Sequence, residues 1–332
     1  MKQMKWIIAA LAALVALEAS AQQPVKMRIA WIVPVANLGQ FIFTMKDQLR
    51  HYGKSYVVEA TRFQGTTPQL TAIGTNELDI GLLGFTSFPL AIQNARMEDL
   101  RIILDEFRDG APGHYSNEFM VRNDSGIKSI ADLKGKTLAT NARGSAVDVA
   151  ARVMLRKSGL DDSAFTVVEA QFPNMRAMLL EKKVELIPAV PPFSYNPELR
   201  ANARVLFTEG QALGPNFLGI WVARQAFLQK NRAAVVDMLE DYLRVLRFLL
   251  DPKNHKQVVE IASNASKIPA PVLDPWLFTD KDYYRPVDGI IDVKLLQSNF
   301  DDQRTIGILK DHVEAQKYVD MSYVREAAGR VK

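Results

Sequence analysis

Residues 137–170 read TLATNARGSAVDVAARVMLRKSGLDDSAFTVVEA, and this stretch decides the fold class. Short apolar runs at 137–140 and 165–170 predict two strands, and the apolar spacing from Ser145 to Ser158 predicts a helix between them. A helix at 173–182 and a strand at 184–187 continue the same alternation. The order βαβαβ implies a parallel sheet with covering helices, so we expect an α/β fold.

The same order of elements occurs a second time, closer to the N-terminus. Strands are predicted at 27–33, 56–63 and 79–83, with a helix at 38–51 and another at 68–76. In the second helix, Thr67 is placed to cap the first turn and Pro68 suits that turn. The two copies share no convincing residue identity, so they predict two α/β lobes of like design, each with a mostly parallel sheet.

Two segments are candidates for crossings between the lobes. Gly110–Asp124 (GAPGHYSNEFMVRND) and Gly210–Arg224 (GQALGPNFLGIWVAR) each place Gly and Pro before a strand-like run. Two crossings would make lobe one discontinuous. We therefore expect lobe one at 27–113 plus 219–332 and lobe two at 117–215.

The C-terminal part of lobe one is expected to open with a helix. Its apolar residues are spaced by three and four and its charges lie on the other face, and the apolar set is Val236, Leu239, Leu243, Leu246 and Leu250. The Pro-rich, aromatic residues 267–284 predict a loop laid against a lobe or the rim of the cleft.

The first 21 residues have the pattern of a cleaved signal peptide. Lys2 and Lys5 precede an uncharged run from Trp6 to Leu17, and Ala19-Ser20-Ala21 matches the small-x-small cleavage pattern. The run is too short for a transmembrane helix, which needs about 20 apolar residues. We therefore expect export to the periplasm.

Composition excludes several classes of protein. The chain contains no cysteine, which excludes disulfides, thiolate metal sites, a Cys nucleophile and a lipid anchor on an N-terminal Cys. Lys+Arg 41 against Asp+Glu 37 gives a formal net charge of +4, spread along the chain without dense basic runs. This distribution argues against a nucleic-acid partner.

Catalytic and metal-binding patterns are missing from the sequence. It contains no H-E-x-x-H, G-x-S-x-G or G-x-G-x-x-G motif and no EF-hand loop. Gly135-Lys136-Thr137 resembles the end of a P-loop, but Ile130 stands where the pattern needs Gly, and a strand follows. We therefore expect no enzyme activity, no cofactor and no metal.

A ligand site is expected beyond the carboxyl ends of the predicted strands, where the following helices begin. The loop 139–148 (ATNARGSAVD) is the most informative, because Gly144 allows close approach to the backbone and Ser145 begins a helix whose free N–H groups suit an anion. Ser145 with Asp148 also fits a capping pattern, so a purely structural cap is an open alternative. Arg143 is either a bidentate partner for the anion or a solvated surface residue.

The other strand ends supply the remaining candidates. Thr86 and Ser87 are flanked by Phe85 and Phe88, one of which is expected in the core, and Phe193 belongs to a stiff aromatic loop that either covers the cleft or is an exposed turn. The candidates in the remaining loops are polar: Asn37, Gln40, Thr66, Thr67 and Asn174.

Three stretches resemble substrate-binding proteins of ABC transporters of the sulfonate, nitrate and taurine type. They are GTTPQLTAIGTNELDIGLL at 65–83, GIKSIADLKGKTLATNARGSAVDVAARVMLRKSG at 126–159, and the return segment 217–250. The D-L-K-G-K part is the most specific. By this resemblance, the family pocket corresponds here to Thr66, Thr67, Thr86, Ser87, Gly144, Ser145 and Ala146.

The resemblance implies a two-lobed, monomeric periplasmic receptor with a type II periplasmic binding fold that delivers a small solute to an ABC permease. The sequence departs from the family at 185–193 (ELIPAVPPF), and this apolar wall favours an organic anion, a sulfonate or carboxylate with a ring or chain, over nitrate. One alternative is a sensor that presents its solute to a receptor kinase. Another is an enzyme related to thiamine-pyrimidine synthesis, which the absence of Cys and the signal peptide disfavour.

Overall fold

The computed structural model describes residues 23–331, so the predicted signal peptide lies outside the described residues. Ten strands are described: β1 Val25–Trp31, β2 Tyr56–Arg62, β3 Ile80–Leu83, β4 Leu100–Asp109, β5 Glu118–Arg122, β6 Thr137–Thr140, β7 Thr166–Glu169, β8 Ile187–Ala189, β9 Ala203–Thr208 and β10 Asn216–Arg224.

The helices described in the same range are α1 Leu38–Phe41, α2 Thr67–Gly74, α3 Ser87–Ala95, α4 Ala146–Lys157, α5 Phe172–Leu180, α6 Pro197–Asn202, α7 Glu209–Leu213, α8 Gln225–Lys230, α9 Arg232–Leu250, α10 His255–Ser266, α11 Ala270–Leu273, α12 Val293–Thr305, α13 Ala315–Tyr318 and α14 Ser322–Arg330. Among these helices, none combines the length and the apolar composition that a bilayer crossing requires.

The first sheet has the strand order β2-β1-β3-β10-β4. Strands β2, β1 and β3 are parallel, as predicted, whereas β10 returns from the second crossing and pairs antiparallel with both β3 and β4. We refer to this sheet and the helices packed on it as lobe one. Its sheet therefore contains strands from both sides of the intervening segment 118–208.

The second set of strands repeats this order. β6 and β7 are parallel, β5 lies between β8 and β9 in antiparallel pairs, and a parallel bridge from Leu138 to Leu186 joins the two groups. The resulting order β7-β6-β8-β5-β9 matches that of the first sheet. We refer to this part as lobe two. The predicted α/β class with two like-built lobes is confirmed, and the predicted residue boundaries between the lobes stay a prediction.

The predicted third strand of lobe two is displaced. The prediction placed it at 184–187, but the strand is β8, Ile187–Ala189, and of the predicted residues Leu186 makes the bridge to β6. Val184, Leu186 and Ile187 are all buried, so an apolar run alone could not fix where the strand pairing begins.

The predicted helix at 38–51 is wrong beyond its first turn. Helix α1 ends at Phe41, and two short 3-10 turns follow it. The Thr44 hydroxyl donates to the Phe41 carbonyl at 2.6 Å, which competes with helix propagation. The buried Asp241 carboxylate accepts from the Arg50 and His51 N–H groups at 2.8 and 2.9 Å and fixes the end of the segment.

Helix α9 has the predicted apolar stripe, since Val236, Leu239, Leu243 and Leu246 are buried. The prediction that its charges all lie on the other face is wrong. Glu240 is buried, and Asp241 is buried under the segment it anchors, where the Tyr56 hydroxyl also donates to it at 2.9 Å. A buried carboxylate with three donors is satisfied without solvent.

The two crossings lie against each other. Gly110 has φ +64, and a Cβ there would stand 3.0 Å from the Gly210 Cα, so both positions favour glycine. The Glu209 N–H donates to the Asn117 carbonyl at 2.8 Å, and the Gly210 N–H donates to the Ser116 hydroxyl at 2.8 Å. The crossings therefore form one hydrogen-bonded hinge region.

Candidate site in the cleft between the lobes

A cavity of about 60 Å³ lies where the two lobes meet above the hinge region. Its apolar walls come from both lobes and from the second crossing: Ile32, Val33, Ala36, Leu82, Phe107, Ala146, Val147, Phe172, Val190 and Leu218. Its polar residues are Asn37, Thr66, Asn117, Asn141, Ser145 and Tyr283. None of these described lining residues carries a formal charge, so recognition must use neutral donors.

Helix α4 points its N-terminus at this cavity. Ser145 is the N-cap, in extended conformation, and Ala146 and Val147 follow it in the lining. In the described part of the chain, no acceptor is found for the N–H groups of these two residues. Free N–H groups at a helix start carry partial positive charge, which suits an anion.

The predicted cap at Ser145 has a different geometry. The Ser145 hydroxyl donates to Asn141 Oδ1 at 2.7 Å instead of accepting from α4, and Asp148 accepts from the Gly144 N–H at 2.9 Å. The S-x-x-D pattern thus correctly located the helix start, but the capping box it predicts does not form. The N–H groups of the first turn are left for another acceptor.

Lobe one contributes an unpartnered hydroxyl to the same cavity. Thr66 is buried, and within the described residues its Oγ1 has no hydrogen-bond partner. Thr66, not Thr67 as predicted, is the N-cap of α2, and its side chain does not cap the helix. A buried hydroxyl without a partner costs about 1–3 kcal/mol, so a ligand oxygen that accepts from it would remove that cost.

The Asn37 side chain shapes the floor of the cavity. Its Oδ1 accepts from the Ile32 and Val33 N–H groups at 2.9 and 2.6 Å, which holds the loop after β1 in place. The Asn37 N–H₂ group has no acceptor among the described residues. Asn37 thus offers the cavity a donor at a strand end where a polar ligand contact was predicted.

Hydrogen bonds between the lobes hold the cleft closed. Gln64 Nε2 donates to the Asn141 carbonyl at 2.6 Å, and Asn141 Nδ2 donates back to the Gln64 carbonyl at 3.1 Å. The Thr67 hydroxyl donates to the Arg143 carbonyl at 2.8 Å. Ligand cavities usually measure about 300–1,000 Å³, so a solute larger than a few atoms requires the lobes to separate.

A buried cation lies behind the wall of the cavity. The Arg285 guanidinium donates to the Ala36 carbonyl at 2.7 Å and packs over the Phe107 ring at 5.2 Å, and both of these residues line the cavity. Burial raises the pKa of Glu106, and the nearby Arg285 charge opposes this rise. Arg285 Nη2 also lies 3.9 Å from Oδ1 of the buried Asp282, so this cation is paired with a buried carboxyl group behind the wall.

Two buried carboxyl groups lie in the hinge region directly beneath the cavity. Asp109 accepts from the Ser116 hydroxyl and the Asn117 N–H, each at 2.6 Å, and Glu209 accepts from Asn117 Nδ2 at 2.9 Å. Burial raises the pKa of Asp109 to about 7 although these hydrogen bonds oppose it. Burial and the nearby Asp109 raise the pKa of Glu209 well above its usual value.

The structure brings part of the predicted set together. Four predicted residues line the cavity, and they are Asn37, Thr66, Ser145 and Ala146. Thr67 and Gly144 lie beside it, because the Thr67 Oγ1 is 3.6 Å from the position of a Cβ on Gly144.

The remaining predicted residues do not line this cavity: Gln40, Phe85, Thr86, Ser87, Arg143, Asn174 and Phe193. Phe85 and Phe88 are both in the core, and Ser87 bonds the Gly84 backbone. Arg143 is exposed and directs its guanidinium to the Val167 carbonyl at 3.1 Å and toward Glu169.

Sequence reasoning missed several lining residues. Phe172 and Val190 lie in loops expected to hold the ligand, 171–174 and 188–193, but neither residue was singled out as a contact. Asn117 lies in a crossing and Tyr283 in the C-terminal loop. Residues 267–284 were predicted to lie against a lobe or the rim of the cleft, and they contact lobe two. The Tyr195 ring stacks on Trp276 at 5.3 Å, and the Tyr195 hydroxyl donates to the Lys281 carbonyl at 2.7 Å.

Comparison with known proteins adds a family and a fold. The model of the NMT1-like family matches residues 20–263. No curated protein matches the chain by sequence.

Three solved structures illustrate the similarity of fold. The alkanesulfonate-binding protein SsuA from Xanthomonas axonopodis pv. citri, bound to MOPS, has a TM-score of 0.70 at 20% identity, covering 90% of this chain and 99% of that one. The periplasmic nitrate-binding protein NrtA from Synechocystis PCC 6803 has a TM-score of 0.72 at 14% identity, with 93% and 89% covered. The desulfurization enzyme DSZB has a TM-score of 0.62 at 14% identity, with 93% and 100% covered.

These comparisons confirm the resemblance found in the sequence at the level of family and fold. At such identities the shared architecture carries no ligand with it, and the residues of the cavity must supply the argument about function.

Proposed function

Because the chain belongs to the NMT1-like family, we propose that it is a solute receptor that captures a small organic anion between its two lobes. One observation carries this proposal. Unpartnered donors from opposite lobes, the Thr66 hydroxyl and the N–H groups of Ala146 and Val147, meet in one closed cavity. A ligand that accepts from both sides would favour the closed form, because it makes all its contacts only there.

The donors favour an anion over a neutral solute. The helix start at Ser145 gives positive potential at the cavity, and hydrogen bonds to a charged group contribute about 1.5–3 kcal/mol each. Two of the similar structures are named for anions, an alkanesulfonate-binding and a nitrate-binding protein. The apolar walls around Phe107, Phe172 and Val190 support an organic anion, a sulfonate or a carboxylate, over nitrate.

The chemistry of the lining supports binding without turnover. Among the described residues that line the cavity there is no Asp, Glu, His or Lys that could transfer a proton. The sequence contains no cysteine that could act as a nucleophile. The desulfurization enzyme DSZB has a similar fold at 14% identity, so conversion of the ligand has to be tested. Each ligand that binds is recovered after incubation and examined for chemical change. Recovery of a changed solute would refute a receptor without enzyme activity.

The proposed setting is the periplasm, where the receptor would deliver its solute to an ABC permease as a monomer. The expected signal peptide supports this location, and the closed hinge region supports capture and release. Cell fractionation and uptake of the identified solute in a deletion strain test the two parts of this proposal. A protein found in the cytosol would contradict the location.

Binding is tested by isothermal titration with ethanesulfonate, benzenesulfonate and the matching carboxylates. The control for charge is the neutral sulfone in which a methyl group replaces one sulfonate oxygen. We expect at least one anion to bind with micromolar affinity, which corresponds to about −8 kcal/mol, and its sulfone to bind at least tenfold more weakly. Equal binding of anion and sulfone would contradict an anion site.

A further inference from the structure

Phe172 lines two cavities. It belongs to the central cavity between the lobes and also to a second cavity of about 190 Å³, which we call the outer groove. The outer groove is lined mainly by Phe172, Pro173, Pro192, Phe193, Ile268 and Val272. It lies between lobe two and the C-terminal segment that also supplies Tyr283 to the central cavity.

The backbone holds the Phe172 side chain at this boundary. Phe172 is the first residue of α5, and Pro173 in the first turn of that helix fixes the backbone there. The Phe172 side chain is buried. The two cavities are also adjacent along the chain. Val190 lines the central cavity, and Pro192, two residues later, lines the outer groove.

The two cavities differ in chemistry and size. The unpartnered donors at Thr66, Ala146 and Val147 all belong to the central cavity, which at about 60 Å³ is small for an organic anion. The outer groove is larger and mostly hydrocarbon. Of its polar side chains, Arg176 is paired with Glu198 and Asn196 caps α6 by accepting from the Leu199 N–H.

We propose that Phe172 is the specificity-determining residue of the receptor. Its ring closes the central cavity against the outer groove, so the anionic head binds at the donors and only a short apolar tail is accepted. This inference rests on the proposed function, because it requires an anion in the central cavity. Removing the ring would join the cavities and give a longer tail an apolar site.

The test is a titration series from ethanesulfonate to octanesulfonate. With the wild-type protein, affinity is expected to stop rising after a short chain and then to fall. With Phe172→Ala, affinity should continue to rise by up to about fourfold for each buried methylene. The affinity for octanesulfonate relative to ethanesulfonate should increase by about tenfold or more, and Phe172→Leu should give a smaller increase.

Phe193→Ala is the matched control, because Phe193 lines only the outer groove. This variant should keep the wild-type chain-length limit. Thermal unfolding establishes that each variant is folded. If Phe172→Ala is not folded, two other variants test the inference. Phe172→Leu should accept longer sulfonate chains than the wild type, and Phe172→Trp only shorter ones.

Several outcomes would overturn the inference. One is a wild-type protein that binds octanesulfonate as tightly as the short sulfonates, and another is an unchanged chain-length profile in the Phe172 variants. Either result would leave the proposed anion receptor standing, since sulfonates would still bind. If no sulfonate or carboxylate binds the wild-type protein, the proposed function fails and this inference fails with it.

Discussion

At the scale of single residues, replacing Thr66 tests whether its hydroxyl binds the ligand or only supports the fold. Thr66→Val keeps the shape and removes a buried hydroxyl that has no partner among the described residues. We expect the unliganded protein to be as stable as the wild type or slightly more so, because an unsatisfied group is lost. Affinity for the bound anion should fall by about tenfold or more, as measured by titration.

Thr86→Val is the control for this change. Thr86 is also buried, also has an unpartnered Oγ1 and is also the N-cap of a helix with αR backbone angles, but it does not line the cavity. It should give a similar stability change with unaltered affinity. Equal affinity in the Thr66 and Thr86 variants would show that the Thr66 hydroxyl does not contact the ligand.

Arg143 shows where residue-level prediction from sequence ends. Its position beside a helix start left two roles open, a contact to the anion or a solvated surface residue, and the backbone of that loop does lie next to the cavity. The direction of a long side chain is decided by its neighbours, however, and here the Val167 carbonyl and Glu169 hold the guanidinium on the surface. Thr66 and Asn37 were easier to place, because short side chains stay where the strand end puts them.

At the scale of elements, the N-terminus of α4 is tested by Ala146→Pro, which removes one N–H donor. Proline is tolerated in the first turn of a helix, and the extended Ser145 (φ −71, ψ 165) suits a residue before proline. We expect the helix to persist by circular dichroism while affinity for the anion falls by about tenfold. The titration is repeated with the neutral sulfone, whose binding should change less.

Two variants control for bulk and for the helix start. Ala146→Val adds carbon atoms at the same place but keeps the N–H group, so it measures the steric part of the loss. Val293→Pro makes the same change at the first residue of α12, away from the cavity, where Asp292 is also extended. If Ala146→Val weakens binding as much as Ala146→Pro does, the N–H group contributes nothing.

Elements with a regular apolar pattern were predicted well, even where they are largely buried. Helix α4 and strand β6 follow the predicted bounds to within one residue. The segment after α1 failed, because Phe41, Ile42 and Phe43 are all buried and leave no polar face to fix a period. Its conformation depends on Asp241, which lies 190 residues away in the chain from His51.

At the scale of the whole molecule, closure of the cleft depends on Gly65. A Cβ at this position would lie 2.7 Å from the Ala142 Cβ and 2.8 Å from Asn141 Nδ2, both in lobe two. The Gly65 φ angle lies outside the left-handed region, so alanine is tolerated by the backbone. Gly65→Ala should therefore keep the fold, hold the lobes apart and lower the affinity for the ligand.

Small-angle scattering measures this effect as a larger radius of gyration than that of the wild type. The control is Gly329→Ala in α14, where an added Cβ would have no neighbour within 4 Å. That variant should scatter like the wild type and bind the anion equally well. A Gly65→Ala protein as compact as the wild type, with full affinity, would contradict this account of closure.

The cavity itself is a property of the whole molecule, and this limits what the sequence could predict. Strand-end loops were found by a local rule, but Asn117, Phe172 and Tyr283 reach the cavity only through the packing of a crossing, a helix start and the C-terminal segment. Their positions in the chain carry no local pattern. Phe107 also reaches the cavity through packing, because its ring lies in the space left by the missing side chain of Gly219.

The buried acids of the hinge region predict how stability changes with pH. The folded protein keeps protons on Asp109, with a pKa of about 7, and on Glu209, whereas the unfolded chain loses them near its ordinary carboxyl values. Folded-state pKa values above the unfolded ones mean that the contribution of these two groups to stability is greatest at low pH. The part due to Asp109 is lost as pH rises from about 4 through its folded-state pKa of about 7. The slope is about 1.4 kcal/mol per pH unit for each retained proton.

Glu209→Gln keeps an oxygen that can accept from Asn117 Nδ2 and removes one titrating group. The contribution of Glu209 to the slope is thereby lost, whereas Asp109 keeps its own, because burial alone raises the pKa of Asp109. Urea unfolding at a series of pH values from 5 to 8 should then show a flatter profile than the wild type. Asp124→Asn is the control, because Asp124 is exposed and its neighbour Lys182 lowers its pKa, which places its effect below this range. Because Asn117 and Tyr283 join these acids to the cavity, a parallel profile for wild type and Glu209→Gln would mean that Glu209 holds no buried proton and does not link the cavity to pH.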